Sequence, residues 1–154
     1  MLHGPGRVWA FLAWLALIAT PHAVAQDSSS AIGRVKLVAG EVTILRGGQA
    51  TPATVGAALS AADRLRTGAD GRVGVTLKDD TRLSLAANTE VALAEFEYAP
   101  GSGQLSLVVR VARGLLSYIS GHIAKLAPSA VRLETPTSVI GVRGTHALLR
   151  VEAP

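Results

Sequence analysis

A chain of 154 residues with fifteen basic and eleven acidic side chains has room for one domain and carries a net charge of +4. The absence of cysteine excludes disulfides, thiolate metal sites and cysteine nucleophiles. The basic excess is too modest to indicate a polymer-binding arm, so the charge by itself names no partner.

The first twenty-five residues have the layout of a secretory signal peptide. Arg7 gives a positive start, the apolar run V-W-A-F-L-A-W-L-A-L-I-A follows at 8–19, and Ala23-Val24-Ala25 forms a small-x-small cleavage site. Such an apolar run, at about 1.5 Å per residue, reaches about 18 Å, short of a hydrocarbon layer of roughly 30 Å. We therefore predict export to the periplasm, cleavage after Ala25 and no stable membrane span afterwards.

Removal of this segment would leave a chain with few aromatic residues. Fourteen basic and eleven acidic residues remain, a net charge of +3, and the remaining aromatic side chains are Phe96, Tyr98 and Tyr118. The core must therefore be aliphatic. Proteins that bind single-stranded nucleic acids or sugars commonly stack them on aromatic rings, so the composition favours neither class and we expect no nucleic-acid partner.

The exported part begins with a polar, Ser-rich lead at 26–32, and we predict a single β domain over 33–151. Apolar and polar residues alternate over 32–45 on both sides of a turn at Ala39-Gly40. This pattern indicates a hairpin, or a bend between two stacked strands.

Helix competes with strand only at 53–65, where Pro52 and Gly56 favour a turn or loop that leads into a short strand near 64–66. Period-two alternation then predicts three short strands over 71–94, with turns at the Asp and Asn positions, and a second β block over 105–121. Regular short strands without intervening helices favour an all-β fold of stacked strands, twisted and solenoid-like or sandwich-like.

The stretch from Thr135 to Val151, T-P-T-S-V-I-G-V-R-G-T-H-A-L-L-R-V, combines the clearest local signals. A Thr-Pro break, an apolar run, two glycines around Val142-Arg143 and a final alternation predict a strand, a glycine corner and a second strand. At Gly141 and Gly144 we expect the backbone either to take a positive φ or to pass close to another segment. The candidate binding or structural motif of this corner consists of Gly141, Arg143, Gly144 and Thr145. Arg143 has two interpretations: it closes the turn by pairing with a nearby carboxylate, or it binds an anionic group.

The basic residues are concentrated in the second half of the domain. Gln26 to Ser102 carries eight basic and nine acidic residues, whereas Gly103 to Pro154 carries six basic and two acidic residues. Spaced singly along strands, they are typical of a solvated outer face. A low-ranked basic face for an anionic partner would comprise Arg110, Arg113, Arg132 and Arg150, provided that these side chains share one face.

The catalytic inventory of the exported chain is thin. Only His122 and His146 remain as histidines, each interpreted as lying in an alternating β segment, with no nucleophile signature beside them. These histidines and the pair Asp79-Asp80 lack the spacing of metal ligands, and no phosphate-binding glycine loop is present. We predict that the protein is not an enzyme and has no catalytic residue, no metal and no cofactor.

In its order of motifs the chain resembles the FecR-type domain, named for the ferric-citrate regulator. The motifs are G-x-V at 33–35, G-E-V-T-I-L at 40–45, V-G-A-A-L-S-A-A-D-R-L-R-T-G at 55–68, G-R-V-G-V-T-L-K-D-D-T-R-L-S-L at 71–85, N-T-E-V-A-L at 88–93, R-G-L-L-S-Y-I-S-G at 113–121 and T-P-T-S-V-I-G-V-R-G-T at 135–145. Two residues depart from the family pattern, since Ala62 and Asp80 occupy turn positions where the family tends to have glycine.

The resemblance implies an extended all-β domain that works outside the cytoplasm by contacting other proteins. Well-known members pass an iron-uptake signal across the envelope, and this chain is similar to a stand-alone exported member. We therefore expect a non-catalytic protein-interaction or scaffold module with a role in envelope signalling, whose partner is another envelope protein. The alternative is a module that binds an anionic envelope polymer or ligand through the arginines of the C-terminal half.

Overall fold

The structure is a computed structural model that describes residues 30–153. The predicted signal peptide and the first part of the lead lie outside these residues. Within the described range, alternating apolar and polar residues form twelve strands and one short α-helix, which confirms the all-β class. The strands are β1 Gly33–Ala39, β2 Val42–Arg46, β3 Gln49–Pro52, β4 Ala58–Leu59, β5 Arg64–Thr67, β6 Arg72–Leu77, β7 Arg82–Leu85, β8 Glu90–Ala99, β9 Gln104–Ile119, β10 Val131–Glu134, β11 Val139–Gly141 and β12 His146–Val151; the helix α1 is His122–Leu126, and Pro100–Ser102 and Pro128–Ala130 form short 3-10 turns.

The long strand β9 connects two halves of one continuous sheet, whose strand order is β3-β2-β5-β8-β9-β7-β6-β1-β4. Its first part pairs with β8 and, in parallel, with β10, which itself pairs with β11. Its last part pairs with β7 and with β12. We call β1, β4, β6, β7, β12 and the end of β9 half I, and the remaining strands with the start of β9 half II.

Gly114 marks the change from one half to the other. Its φ of 96° lies in the left-handed region, and a Cβ at this position would collide with Thr89. The Thr89 hydroxyl accepts a hydrogen bond from the Leu115 amide at 3.0 Å, so the side chain holds the chain where it bends. The predicted interruption at Gly114 is therefore a bend within a continuous strand.

The inward side chains of both halves form one aliphatic core. Because successive residues of a strand point to opposite faces, the buried positions alternate with exposed ones along β5, β6 and β7. Tyr118 is the one aromatic ring among the fully buried side chains of the described residues. The largest of these side chains are Tyr118, Leu59, Leu65, Leu83, Leu93, Leu107, Leu116, Ile123, Leu133, Val35, Val73 and Val75.

The first two strands form a bend and not a hairpin, because β1 pairs with β4 and β6 whereas β2 pairs with β3 and β5. The region at 53–65 forms turns and the short β4, and it leads into β5 as predicted.

His122 does not lie in a β segment, which corrects the sequence interpretation, because it begins α1. The Asp79 carbonyl accepts a hydrogen bond from the His122 amide at 2.7 Å, and the Asp79 carboxylate accepts one from the Ile123 amide at 3.2 Å. This helix of five residues therefore forms against a buried carboxylate supplied by a distant turn.

Candidate functional site

The glycine corner between β11 and β12 forms as predicted. Val142 is buried. Ser120, the residue after β9, closes the corner: its amide donates to the Thr145 carbonyl and its hydroxyl donates to the Gly144 carbonyl, both at 3.0 Å. Gly144 has a φ of 139°, in the region that favours glycine. Of the two predicted roles of the glycines, a positive φ applies to Gly144.

Gly141 follows neither expectation. It is not among the described residues with positive φ, and no atom lies within 4 Å of the place where a Cβ would stand. Arg143 also differs from its structural interpretation, since none of the ion pairs and hydrogen bonds formed among residues 30–153 involves its side chain. The corner faces a shallow depression of about 750 Å³ that Ala124, Pro128 and Ser129 border on the other side.

Strand β12 is an edge of the described sheet, because its one strand partner there is β9. The Ser120 amide donates to the Thr145 carbonyl, so the hydrogen-bonded pairs with β9 continue at Ala147 and Leu149. The Ala86 amide, just after β7, donates to the Leu115 carbonyl. Leu115 therefore bonds toward β7, as expected if the residues on either side of it bond toward β12. The intervening residues of β12 therefore direct their N–H and C=O groups away from β9: these are His146, Leu148 and Arg150.

The four arginines proposed as a basic face are divided between the two halves, three on half II and one on half I. Arg110 and Arg113 are on half II, where Arg110 pairs with Glu134 at 2.7 Å. Glu90 lies 3.9 Å from Arg113 and also contacts Arg64 and Arg66, so one carboxylate serves as the partner of three arginines. Arg132 is on β10, also in half II, whereas Arg150 is on β12 in half I.

Half I carries a group of four arginines, of which only Arg150 belongs to the basic face predicted from the sequence. Arg34, Arg72 and Arg82 lie at outward positions of β1, β6 and β7, and Arg150 lies at an outward position of β12. None of these four side chains forms an ion pair with a carboxylate of the described residues. The alternation along the strands was visible in the sequence, but the pairing that places them on one face was not. We call this outer surface of half I the cationic face.

The buried carboxylate of Asp63 lies away from the cationic face and stabilises the fold. The Asp63 side chain is buried and accepts two hydrogen bonds from Arg46, at 2.8 and 2.7 Å, and one from the Ser60 amide at 2.8 Å. The hydrogen bond to Asp63 raises the pKa of the Arg46 guanidinium above its usual value. This bidentate pair ties β2 to the turn before β5.

His146 contacts Ser117, with 2.9 Å between Nε2 and Oγ. In a Ser-His-Asp triad a carboxylate orients the imidazole, whereas none of the residues that the structure describes pairs its carboxylate with His146. The contact joins neighbouring positions of β9 and β12 on an exposed sheet surface, so it stabilises the edge strand. Across residues 30–153, no three His, Asp or Glu side chains form a cluster suited to a metal ion.

The model of the FecR protein family matches residues 63–154, more than half of the chain. This chain belongs to the FecR family. The match begins at Asp63 and includes the glycine corner and β12, whereas the motifs before Asp63 lie outside it. FecR proteins form a signalling and regulatory family associated with the cell envelope.

No curated protein and no solved structure matches this FecR chain. Among residues 30–153, no helix combines the length and the apolar character needed to cross a membrane.

Proposed function

We propose that this FecR protein is an exported, periplasmic, non-catalytic interaction module that binds another envelope protein through the free edge of β12. One observation carries the proposal: the backbone groups of every second residue on that edge point away from β9. These residues are His146, Leu148 and Arg150. Their N–H and C=O groups form the template on which a partner strand can add by β-augmentation. Membership of a family of signalling proteins supports a role in envelope signalling.

Leu148 is the centre of this edge. Its side chain is 65% exposed although both sequence neighbours turn their side chains toward the core. An exposed leucine flanked by unpaired backbone groups favours a partner that covers both, because burial of apolar area adds to the ladder hydrogen bonds.

The anionic-polymer alternative receives less support from the arrangement of the arginines. Arg110 and Arg113 contact carboxylates, while Arg132 lies on β10, Arg143 in the corner between β11 and β12, and Arg150 on β12. Binding of a polymer through them would fall steeply as salt is added, which binding by strand addition would not. Recovery of envelope polysaccharide that is lost in Arg143→Ala would favour this alternative.

The test is affinity capture of the protein from its native host after crosslinking, with captured proteins identified by mass spectrometry. Leu148→Pro removes one outward N–H and leaves the hydrogen bonds to β9 intact. Leu148→Val is the matched control, since it keeps both the N–H and an apolar β-forming side chain. We expect one recurrent envelope protein with the wild type and with Leu148→Val, and its loss with Leu148→Pro.

Equal recovery with Leu148→Pro and Leu148→Val contradicts strand addition at β12. Circular dichroism of each variant shows whether the sheet has formed. The position matters, because proline at Leu149 would break a hydrogen bond to β9 and disturb a buried side chain.

A further inference from the structure

The cationic face contains a trough with apolar walls and a floor of small side chains. Cross-strand pairing places Leu37, Gly74, Ser84, Ser117 and Leu148 in one row across β1, β6, β7, β9 and β12. The two leucines at the ends of the row are 53% and 65% exposed, and the three residues between them are glycine and serine. The resulting cavity has a volume of about 440 Å³.

The dimensions of the trough suit an α-helix. Four strand spacings of about 4.8 Å separate Leu37 from Leu148, which gives about 19 Å between the walls. A helix with its side chains is about 10 to 12 Å across, so it fits between the leucines and can rest on Gly74, Ser84 and Ser117. A single extended segment would leave much of this width empty.

The charged residues on the strands around the trough are all basic. Arg72 and Arg150 lie toward one end, and Arg34 and Arg82 lie toward the other. The outward strand positions of half I, as far as the structure describes them, hold no aspartate or glutamate. In half II, by contrast, Glu90 and Glu134 contact the arginines beside them.

We infer that the trough is the docking site for an acidic amphipathic helix of a partner protein. One apolar stripe of that helix lies on the small-residue floor between Leu37 and Leu148, and its acidic flanks pair with the arginines at the ends. The inference rests on the proposed function, because it assumes a protein partner, but it concerns the sheet face and not the backbone edge of β12. The partner helix must be acidic because the trough is flanked by arginines, and like charges placed opposite each other oppose binding.

Fluorescence anisotropy tests the inference with a labelled synthetic helix of about 14 residues, which spans about 20 Å. This acidic peptide carries leucines along one stripe and glutamates on both flanks, and a matched peptide has lysine at every glutamate. Ser84→Trp places a bulky ring on the floor, and Gln104→Trp places the same ring at an exposed position at the start of β9, in half II.

We expect the acidic peptide to bind the wild type and Gln104→Trp alike, and to bind Ser84→Trp roughly tenfold more weakly or worse. The lysine peptide should also bind the wild type at least about tenfold more weakly than the acidic peptide. If Ser84→Trp does not fold, the double variant Arg72→Glu, Arg82→Glu should give the same loss. Failure of the acidic peptide to bind, or equal binding to Ser84→Trp, overturns the inference.

Two further results identify other occupants and overturn the inference as stated. Light scattering that shows a dimer, dissociated by Ser84→Trp, would assign the trough to a second copy of the chain. Capture of an envelope protein by the wild type and by Ser84→Trp but not by Leu148→Pro would support strand addition at β12 and contradict docking of a helix in the trough. The two proposals therefore fail separately.

Discussion

Ala62 has a backbone conformation that alanine rarely adopts. Its φ is 69°, and it precedes Asp63 at a turn where the FecR pattern tends to have glycine. The left-handed region costs a residue with a Cβ about 1 to 2 kcal/mol, while glycine loses about 0.5 to 1 kcal/mol more chain entropy on folding. The Ala62 amide donates to the Leu93 carbonyl at 2.7 Å, a bond that glycine keeps.

We therefore predict that Ala62→Gly raises the free energy of unfolding by about 0.5 to 1 kcal/mol. Urea titration measures the change, and Ala61→Gly, at a neighbour without positive φ, should lower stability or leave it unchanged. A lower stability for Ala62→Gly contradicts the assignment of strain. Asp80 has a φ of 65°, but its carboxylate lies 3.3 Å from His122, so Asp80→Gly should gain less.

Asp63 should be among the most costly polar positions to change. Its buried carboxylate accepts three hydrogen bonds, two of them from one guanidinium, and truncation would leave these donors without their partner. We predict that Asp63→Ala lowers the free energy of unfolding by about 3 kcal/mol, measured in urea. Asp70→Ala, which removes an exposed carboxylate bonded to the Glu41 amide, should cost less than about 1 kcal/mol.

Tyr118 should make the stability of the protein depend on alkaline pH. Burial, together with the negative charge of Asp79, raises the pKa of Tyr118 to about 12. The folded-state pKa exceeds the unfolded value of about 10. The contribution of protonated Tyr118 to the free energy of unfolding is therefore fully present below pH 10, and it is lost as the pH rises toward about 12. The expected loss across this window is about 2 to 3 kcal/mol.

Tyr118→Phe should remove this dependence, as chemical denaturation at several pH values would show. At neutral pH the variant should lose little stability, because the buried hydroxyl has no hydrogen-bond partner among the described residues. Tyr98→Phe is the control, and it should leave the dependence on pH in place. An unchanged alkaline profile in Tyr118→Phe contradicts the assignment.

Among the elements, those defined by local alternation were predictable. The strands β6, β7 and β8 and the strand, corner and strand at the C-terminal end follow directly from period-two patterns and turn residues. The helix α1 was missed because its stability comes from the Asp79 carboxylate, which is distant in sequence. β3 was missed because its four residues are all exposed and show no alternation.

The candidate site was predictable in part for the same reason. The glycine corner is a local motif, and Gly144 has the positive φ expected of it. The cationic face depends on which strands lie side by side, and the pairing of β7 with the end of β9 cannot be derived from spacing along the chain. Arg34, Arg72 and Arg82 are therefore visible as outward residues in the sequence but not as neighbours of Arg150.

The register of β12 makes a prediction about hydrogen exchange. The amides of Ala147, Leu149 and Val151 donate to β9 and should exchange slowly, whereas those of Leu148 and Arg150 should exchange quickly. Two-dimensional NMR after transfer to deuterated buffer measures both sets. Slow exchange at Leu148 and Arg150 in the free protein would show that the edge is already covered, against the proposed role of β12.

On the scale of the whole molecule, charge separates by sheet half rather than by chain half. Counted along the sequence, the excess of basic over acidic residues lies in the C-terminal part. In the fold, every strand arginine of half II except Arg132 contacts a carboxylate. The strand arginines of half I, which come from both ends of the chain, have no carboxylate partner among the described residues: these are Arg34, Arg72, Arg82 and Arg150. The same half presents the free edge of β12, so both proposed contacts lie on one side of the molecule.

The most direct test of this account is site-specific photocrosslinking in the native host. A photoreactive amino acid replaces Leu148 on the edge of half I in one strain, and Gln104 on half II in another. We predict that position 148 yields a discrete crosslinked species containing an envelope protein, and that position 104 does not. Absence of a protein crosslink at 148, or the same crosslink at both positions, would contradict binding of a partner through the edge of β12.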